Sequence, residues 1–355
     1  MTHRERVLAA FSFQEPDRVP RNLHLVESQV EELRSRTGSE DYREYWDLDL
    51  RWVGFRPPKI DWEKRFGGYY ADEDRPYVFE GGAYPPEWGI ASRKAHFYHL
   101  SAPLFPLKRI STVREVEAYP FPDYISEWGH DHLEAEVDSL HRRGYPALGS
   151  CQRIFQTAWY LRSREELFID FYERPSLAEA IFRRVAWVVE RMAVRLARAG
   201  VDILTISDDI AMQDRMMVSP EMWRTWVKPH ITAVFEAARK VKPDLLIAYH
   251  SDGDYEPVIP DLLETGVDIL STVQSECMDV VKMKREWGRT VSLMGTIGLQ
   301  STLRWEGPAG VRREVRRQIE ILGRGGGFLL SPGNAVGPDV PWENLIAFIE
   351  AADGK

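Results

Sequence analysis

His250 and Asp252 stand two residues apart at the end of the apolar run LLIAYHSDGD, residues 245–254. In extended chain an i, i+2 pair projects to one side, so an imidazole and a carboxylate there can grip one cation or one substrate oxygen. Asp208 and Asp209 close a second apolar run, ILTIS. Adjacent extended residues point to opposite sides, so one carboxylate should face a pocket while the other takes backbone or helix-cap hydrogen bonds. Gln274 and Glu276 follow DILSTV, Asn334 follows GFLLSPG, Arg153 follows YPALGSCQ, His24 lies in VPRNLHL, and Gln213 sits in the loop after the aspartate pair. This placement nominates His250, Asp252, Asp209, Gln274 and Asn334 for chemistry, and His24, Arg153, Asp208, Gln213 and Glu276 for substrate contacts. His250 and Asp252 would begin a site for zinc or another divalent metal. The third ligand would come from Asn334, Glu276, Cys277 or Asp209, because catalytic zinc usually keeps three protein ligands and a water. A histidine–carboxylate pair without metal is the plainer alternative.

These residues recur where short apolar stretches end, the pattern of strands buried on both faces that release polar groups on one side of a sheet. Strand-like runs begin near residues 20, 47, 145, 203, 245, 268, 291 and 327, and helical patterns separate nearly all of them. Eight such units predict an α/β chain folded as a (β/α)₈ TIM barrel, one domain over 1–355, with the chemistry at the carboxyl ends of the strands. The pattern breaks at 56–122, where Trp62, Phe66, Tyr69, Tyr70, Tyr77, Phe79, Tyr84, Trp88, Phe97, Tyr98 and Phe105 lie among nine prolines. Alternation in RPYVFEGG and KAHFYHLSAPL predicts short hairpins, an insertion serving as lid or dimerisation arm. Aromatics at this density, Trp88 among them, either wall a pocket for a flat ligand or make a small satellite core. A helix is expected from Ile125 to Arg143, and another over 219–241.

Composition narrows the classes. The chain carries 46 Lys and Arg against 55 Asp and Glu, a formal charge of −9, and has no basic block, which argues against a nucleic-acid surface. Its two cysteines, Cys151 and Cys277, form no CxxC and offer neither a disulfide framework nor a four-thiolate zinc site. With no secretory signal and no apolar run long enough to span a bilayer, a soluble cytoplasmic protein is expected. The glycine-rich GRGGGF precedes a strand and opens no helix, so it is no dinucleotide fingerprint.

Taken together, GVDILTISDD, VSPEMWRTWVKPH, YHSDGD, LLETGVDILSTVQ, SLMGTIG, GGGFLLSPGN and DVPWENLIAF resemble the uroporphyrinogen decarboxylase superfamily, which includes the true decarboxylase and cobalamin-dependent methyltransferases. In those methyltransferases a histidine and two cysteines hold a zinc that activates a thiol. The matching positions here read His250, Asp252 and Asn334, so the resemblance implies a site for a harder metal or for none. The decarboxylase signature RQAGR should follow DRVP, where this chain has RNLHLVESQ, leaving few arginines for a polycarboxylate. The resemblance implies a methyltransferase or demethylase acting on a small methylated or methoxylated compound, with a corrinoid protein as partner and a homodimer as one assembly. A cofactor-free decarboxylase of porphyrin biosynthesis, with Asp209 stabilising developing charge, is the alternative, and a non-catalytic scaffold is a third.

Overall fold

The computed structural model describes residues 1–79, 84–93 and 101–354. Seven parallel strands among them form one curled sheet: β1 (Arg51–Val53), β4 (Ala147–Cys151), β5 (Ile203–Ser207), β6 (Leu246–His250), β7 (Ile269–Ser271), β8 (Ser292–Met294) and β9 (Phe328–Leu329), hydrogen-bonded in that order. Two further strands, β2 (Ala91–Arg93) and β3 (Ala102–Leu104), pair antiparallel within the insertion. The segment expected to be the first barrel strand forms no ladder, only single parallel bridges from Arg21 to Leu330 and from Leu25 to Val336. It still spans both edges of the sheet. Asn22 N donates to Leu330 O at 2.9 Å, and Asp49 N donates to Arg21 O at 3.0 Å, so it fills the eighth place of a TIM barrel.

Successive strand residues alternate in direction, and the inward columns change character from bottom to top. Leu148, Ile203, Ala248, Ile269, Leu329 and Leu50 pack inside the barrel, and Val7 and Phe11 of the helix His3–Phe11 plug its floor. One or two steps higher the same columns carry Ser150, Thr205, Ser207, His250 and Ser271, which line a cavity. The register sets Ser207 opposite His250 and His250 opposite Ser271, one polar row across three strands. The outward faces, with Leu204, Ile206, Ile247, Tyr249 and Leu270, bury under the surrounding helices. The largest cover is the 25-residue helix Pro175–Ala199, opened by its proline and closed by Gly200 at φ 89°.

Two helices differ from expectation. The one expected over 125–143 forms only at Leu133–Arg142, because the Asp123 carboxylate takes the N–H groups of Ile125 and Ser126 into a turn. The one over 219–241 divides into Pro220–Trp226 and Lys228–Val241, where Pro229 cannot donate to the preceding turn. The described residues of the insertion build a satellite core. Phe66, Trp88, Tyr119 and Phe121 pack on one another, and the Tyr119 hydroxyl donates to Trp88 O at 2.6 Å. Phe97 and Tyr98 lie outside the described residues. Arg162, itself fully buried, fastens this region to the barrel by donating to the carbonyls of Leu107, Lys108 and Ile110 at 2.6–2.9 Å, while its Nε pairs with buried Asp170 at 2.7 Å.

Candidate functional site

The exits of β5 and β6 bring Asp209, His250 and Asp252 together, with one ligand atom from each lying within 4.8 Å of the others. Asp208 and Asp209 diverge as adjacent extended residues must. The buried Asp208 carboxylate accepts the N–H groups of Ile154, Phe155 and Gln156 at 3.2, 2.8 and 2.8 Å, capping the helix Phe155–Arg162. Burial pushes its pKa up to about 7 against those three donors. Asp209 faces the other way, and its Oδ1 accepts Asp252 N at 3.1 Å.

Each member of the cluster has a dedicated support. Thr272 Oγ1 lies 2.7 Å from His250 Nδ1, which leaves Nε2 turned toward Asp252. Asn334 Nδ2 donates to Asp252 Oδ2 at 2.8 Å, and Asp252 Oδ1 is buried with no hydrogen-bond partner. The 3.8 Å from His250 Nε2 to Oδ1 is too long for a hydrogen bond. Burial, reinforced by the Asp209 charge, raises the Asp252 pKa to about 7, and burial lowers that of His250. The turn that carries Asp252 needs Gly253, since at φ +85° any Cβ would stand 2.2 Å from Met212 O. Gln274 sits behind it, with its Oε1 accepting Gly253 N at 2.7 Å. Thr272 has φ 68°, a rare conformation for a β-branched residue, and Gly295 packs against its backbone where a Cβ would come within 2.6 Å of the Thr272 Cα.

Two cavities open on this mouth. The central one, about 350 Å³, is lined by His24, Asn22, Arg153, His250, Thr272 and Asn334 among others. The side chamber, about 430 Å³, lies under the insertion between Phe55, Glu87, Tyr124, Trp128, Gln152 and Arg153. Ser150, Arg153 and Ser207 belong to both walls, so the two spaces adjoin. In the side chamber Glu87 accepts the Tyr124 hydroxyl at 2.8 Å and the Gln152 amide at 3.3 Å, and burial raises its pKa.

His24, Arg153, His250 and Asn334 thus line the cavities, with Asp209 and Asp252 in the adjacent cluster and Gln274 behind it. Others fall elsewhere. Gln213 is exposed and bonds Gln300, and Glu276 is exposed and takes the N–H groups of Gln300 and Ser301, so both order loops at the rim. Trp88 is fully buried in the satellite core and lines neither cavity, because the Phe66–Tyr119–Phe121 cluster encloses it. Cys277 points its Sγ to Gln274 Oε1 at 3.6 Å and stays outside the ligand cluster. Sequence reasoning missed Thr272, Asn22, Glu87 and Tyr124. Only the inward serines and threonines of β4, β5 and β7 carried a signal, the period-2 polar column.

No helix among the described residues is long and apolar enough to cross a membrane. A uroporphyrinogen decarboxylase from Pelodictyon phaeoclathratiforme is 24% identical over 182 residues, 50% of this chain and 49% of that one. The methylcobamide:CoM methyltransferase MtaA of Methanosarcina barkeri is 26% identical over 158 residues, 44% of this chain and 43% of its own. The aligned stretches therefore span about half, or less, of these relatives' lengths. In three dimensions a methyltransferase from Methanosarcina mazei superposes with a TM-score of 0.69 at 17% identity, covering 100% of this chain and 99% of that one, which is likeness of fold. Residues 96–354 match the profile of the uroporphyrinogen decarboxylase (URO-D) family, nearly three-quarters of the sequence and all of β4 through β9, and the chain belongs to that family.

Proposed function

We propose that the protein is a methyltransferase that removes a methyl group from a small methylated or methoxylated compound and delivers it to a corrinoid on a partner protein. The observation that carries this reading is the Asp209–His250–Asp252 cluster with its buried, unpartnered Asp252 Oδ1. One imidazole and two carboxylates within 4.8 Å fit a divalent cation harder than one held by thiolates. Bound there, such an ion would supply Lewis acidity to the heteroatom from which the methyl group departs. The protein's own part is orientation. Thr272 fixes the imidazole ring, Asn334 turns Asp252 so that its free oxygen faces His250, and Asp209 holds the turn between them.

A decarboxylase is the second reading, supported by the decarboxylase relatives and by a carboxylate, Asp209, at the barrel mouth. Electrostatics favours methyl transfer. Among the described residues lining the two cavities Arg153 is the sole arginine or lysine, whereas a porphyrinogen bearing many carboxylates would need several. The test is methylation of cob(I)alamin from a panel of methoxylated and methylated compounds, with elemental analysis of protein never exposed to chelator. His250→Ala and Asp252→Ala should each abolish turnover. Decarboxylation of uroporphyrinogen by the protein alone, lost in Asp209→Ala, would establish the second reading instead.

A further inference from the structure

Arg153 follows the end of β4, where the central cavity meets the side chamber. It makes no hydrogen bond and no ion pair with any described residue. Two acids of this neighbourhood are engaged otherwise. Glu87 is committed to Tyr124 and Gln152, and Asp208 spends both oxygens on the N–H groups of residues 154–156. The Arg153 charge reaches both chambers, since it acts on Glu87 on one side and on His250 on the other. An unpaired guanidinium facing a cavity is a fork for a planar oxyanion, which it binds bidentately.

Beyond it the side chamber has an aromatic wall facing the polar groups of Glu87 and Gln152. Tyr124 and Trp128 pack at 4.4 Å between ring centroids, and Phe55 meets Tyr124 edge-on at 5.6 Å. With Pro85, Pro86 and Met192 these rings wall the side chamber. Its volume, about 430 Å³, admits a ring of benzene size with substituents. The central cavity on the other side of Arg153 holds His250, next to Asp209 and Asp252.

We infer that Arg153 anchors the single carboxylate of a small aromatic acid whose ring occupies the side chamber, making the substrate class an aromatic monoanion. This rests on the proposed methyl transfer only for the word substrate. The anchor itself is a binding site and is tested as one. One arginine matches one carboxylate, and the acid in the chamber wall, Glu87, is hydrogen-bonded to the Tyr124 hydroxyl.

The experiment is calorimetric titration of the full-length protein with benzoate, its neutral isostere benzamide, and acetate, using wild type, Arg153→Gln and Phe55→Ala. Benzoate should bind the wild type, about tenfold or more weakly in Arg153→Gln. Phe55→Ala should weaken benzoate and leave acetate unchanged, and benzamide should not compete. Because Arg153 supports no described residue, Arg153→Gln should keep the wild-type melting curve, which confirms a folded comparison. Equal benzoate affinity in Arg153→Gln, benzamide binding as tight as benzoate, or no benzoate binding to the wild type at about 10 mM would each overturn the inference. Benzoate binding without methyl transfer from any aromatic acid would refute the proposed reaction and keep the anchor. Methyl transfer from neutral compounds without benzoate binding would do the reverse.

Discussion

Replacing Thr272 with valine removes one hydroxyl and little else, which makes it the cleanest probe of how the cluster is held. Valine has the same branched shape, so the strain of φ 68°, of the order of 1–3 kcal/mol, is carried into the variant. The backbone stays pinned as well, since Val273 N still donates to Met294 O at 2.9 Å and the Tyr255 hydroxyl to Thr272 O at 3.4 Å. What disappears is the 2.7 Å contact to His250 Nδ1, leaving that nitrogen only the long 3.5 Å contact with Ser271 Oγ. Leaving a buried polar atom without its partner costs about 1–3 kcal/mol, which is about 5- to 150-fold in any property that needs one ring orientation and one tautomer. Groups that orient ligating histidines give losses of about 10- to 100-fold when removed, the same range. Thr272→Val should therefore reduce the proposed methyl transfer by about tenfold to a hundredfold, and Thr272→Ser, which keeps the hydroxyl, should restore most of it. Imidazole ¹⁵N spectra give a readout independent of turnover: His250 should show one dominant tautomer in wild type and in Thr272→Ser, and a mixture in Thr272→Val. If Thr272→Val kept both the wild-type rate and the wild-type His250 spectrum, the assignment of Thr272 as a positioning residue would fail.

Asp208→Asn should lower stability by about 2–3 kcal/mol in urea, because one amide oxygen cannot serve three N–H donors and the new NH₂ opposes them. An unchanged midpoint would remove its capping role. Arg162→Lys keeps the charge but cannot reach Asp170 and three carbonyls at once, so a loss of about 2–3 kcal/mol is expected, and one below about 0.5 kcal/mol would contradict the clamp. Glu87 gives a pH signature. Its pKa is raised above the ordinary 4.5, so below that value folded and unfolded states are both protonated and the group is neutral to stability. As pH rises the unfolded carboxyl ionises while the buried one resists, and the wild type loses stability relative to Glu87→Gln. Melting curves should thus converge near about pH 4 and separate toward about pH 8, with Glu87→Gln the higher, and parallel curves would count against it.

Much of the barrel was legible because apolar runs of five residues, bounded by polar groups, have few other uses. The pairing of His250 with Asp252, and the divergence of Asp208 from Asp209, followed from a side-chain period of two and needed no tertiary information. The segment 19–25 read as a strand because composition does not reveal how many ladder bonds form, and Pro20 removes one donor at its start. Trp88 could not be assigned, since an aromatic residue looks the same in sequence whether it walls a cavity or fills a core. Thr272 was illegible for a different reason. A β-branched residue in the left-handed region is disfavoured locally, and tertiary contacts, among them the packing of Gly295, the bond from Tyr255 and that from Val273 N to Met294 O, hold it there. Glu87 and Tyr124 meet Gln152 across sequence gaps that no local pattern bridges.

The clamp formed by Arg162 divides the architecture in a way that bears on descent. The central cavity is built from strand ends that must keep register around the barrel, so a change to one of its residues disturbs its neighbours. The side chamber takes much of its wall from Pro85, Pro86 and Glu87, outside the barrel strands, while Arg162 fastens the same insertion further along through the carbonyls of Leu107, Lys108 and Ile110. Within residues 84–93 the buried Trp88, Ile90 and Ala91 and the left-handed Gly89 hold the satellite core, so substitution is tolerated better at Pro85 and Pro86, which face the chamber, than at the residues behind them. A change there alters what the chamber accepts without rebuilding the cluster beside it, a route by which substrate preference can diverge on one barrel.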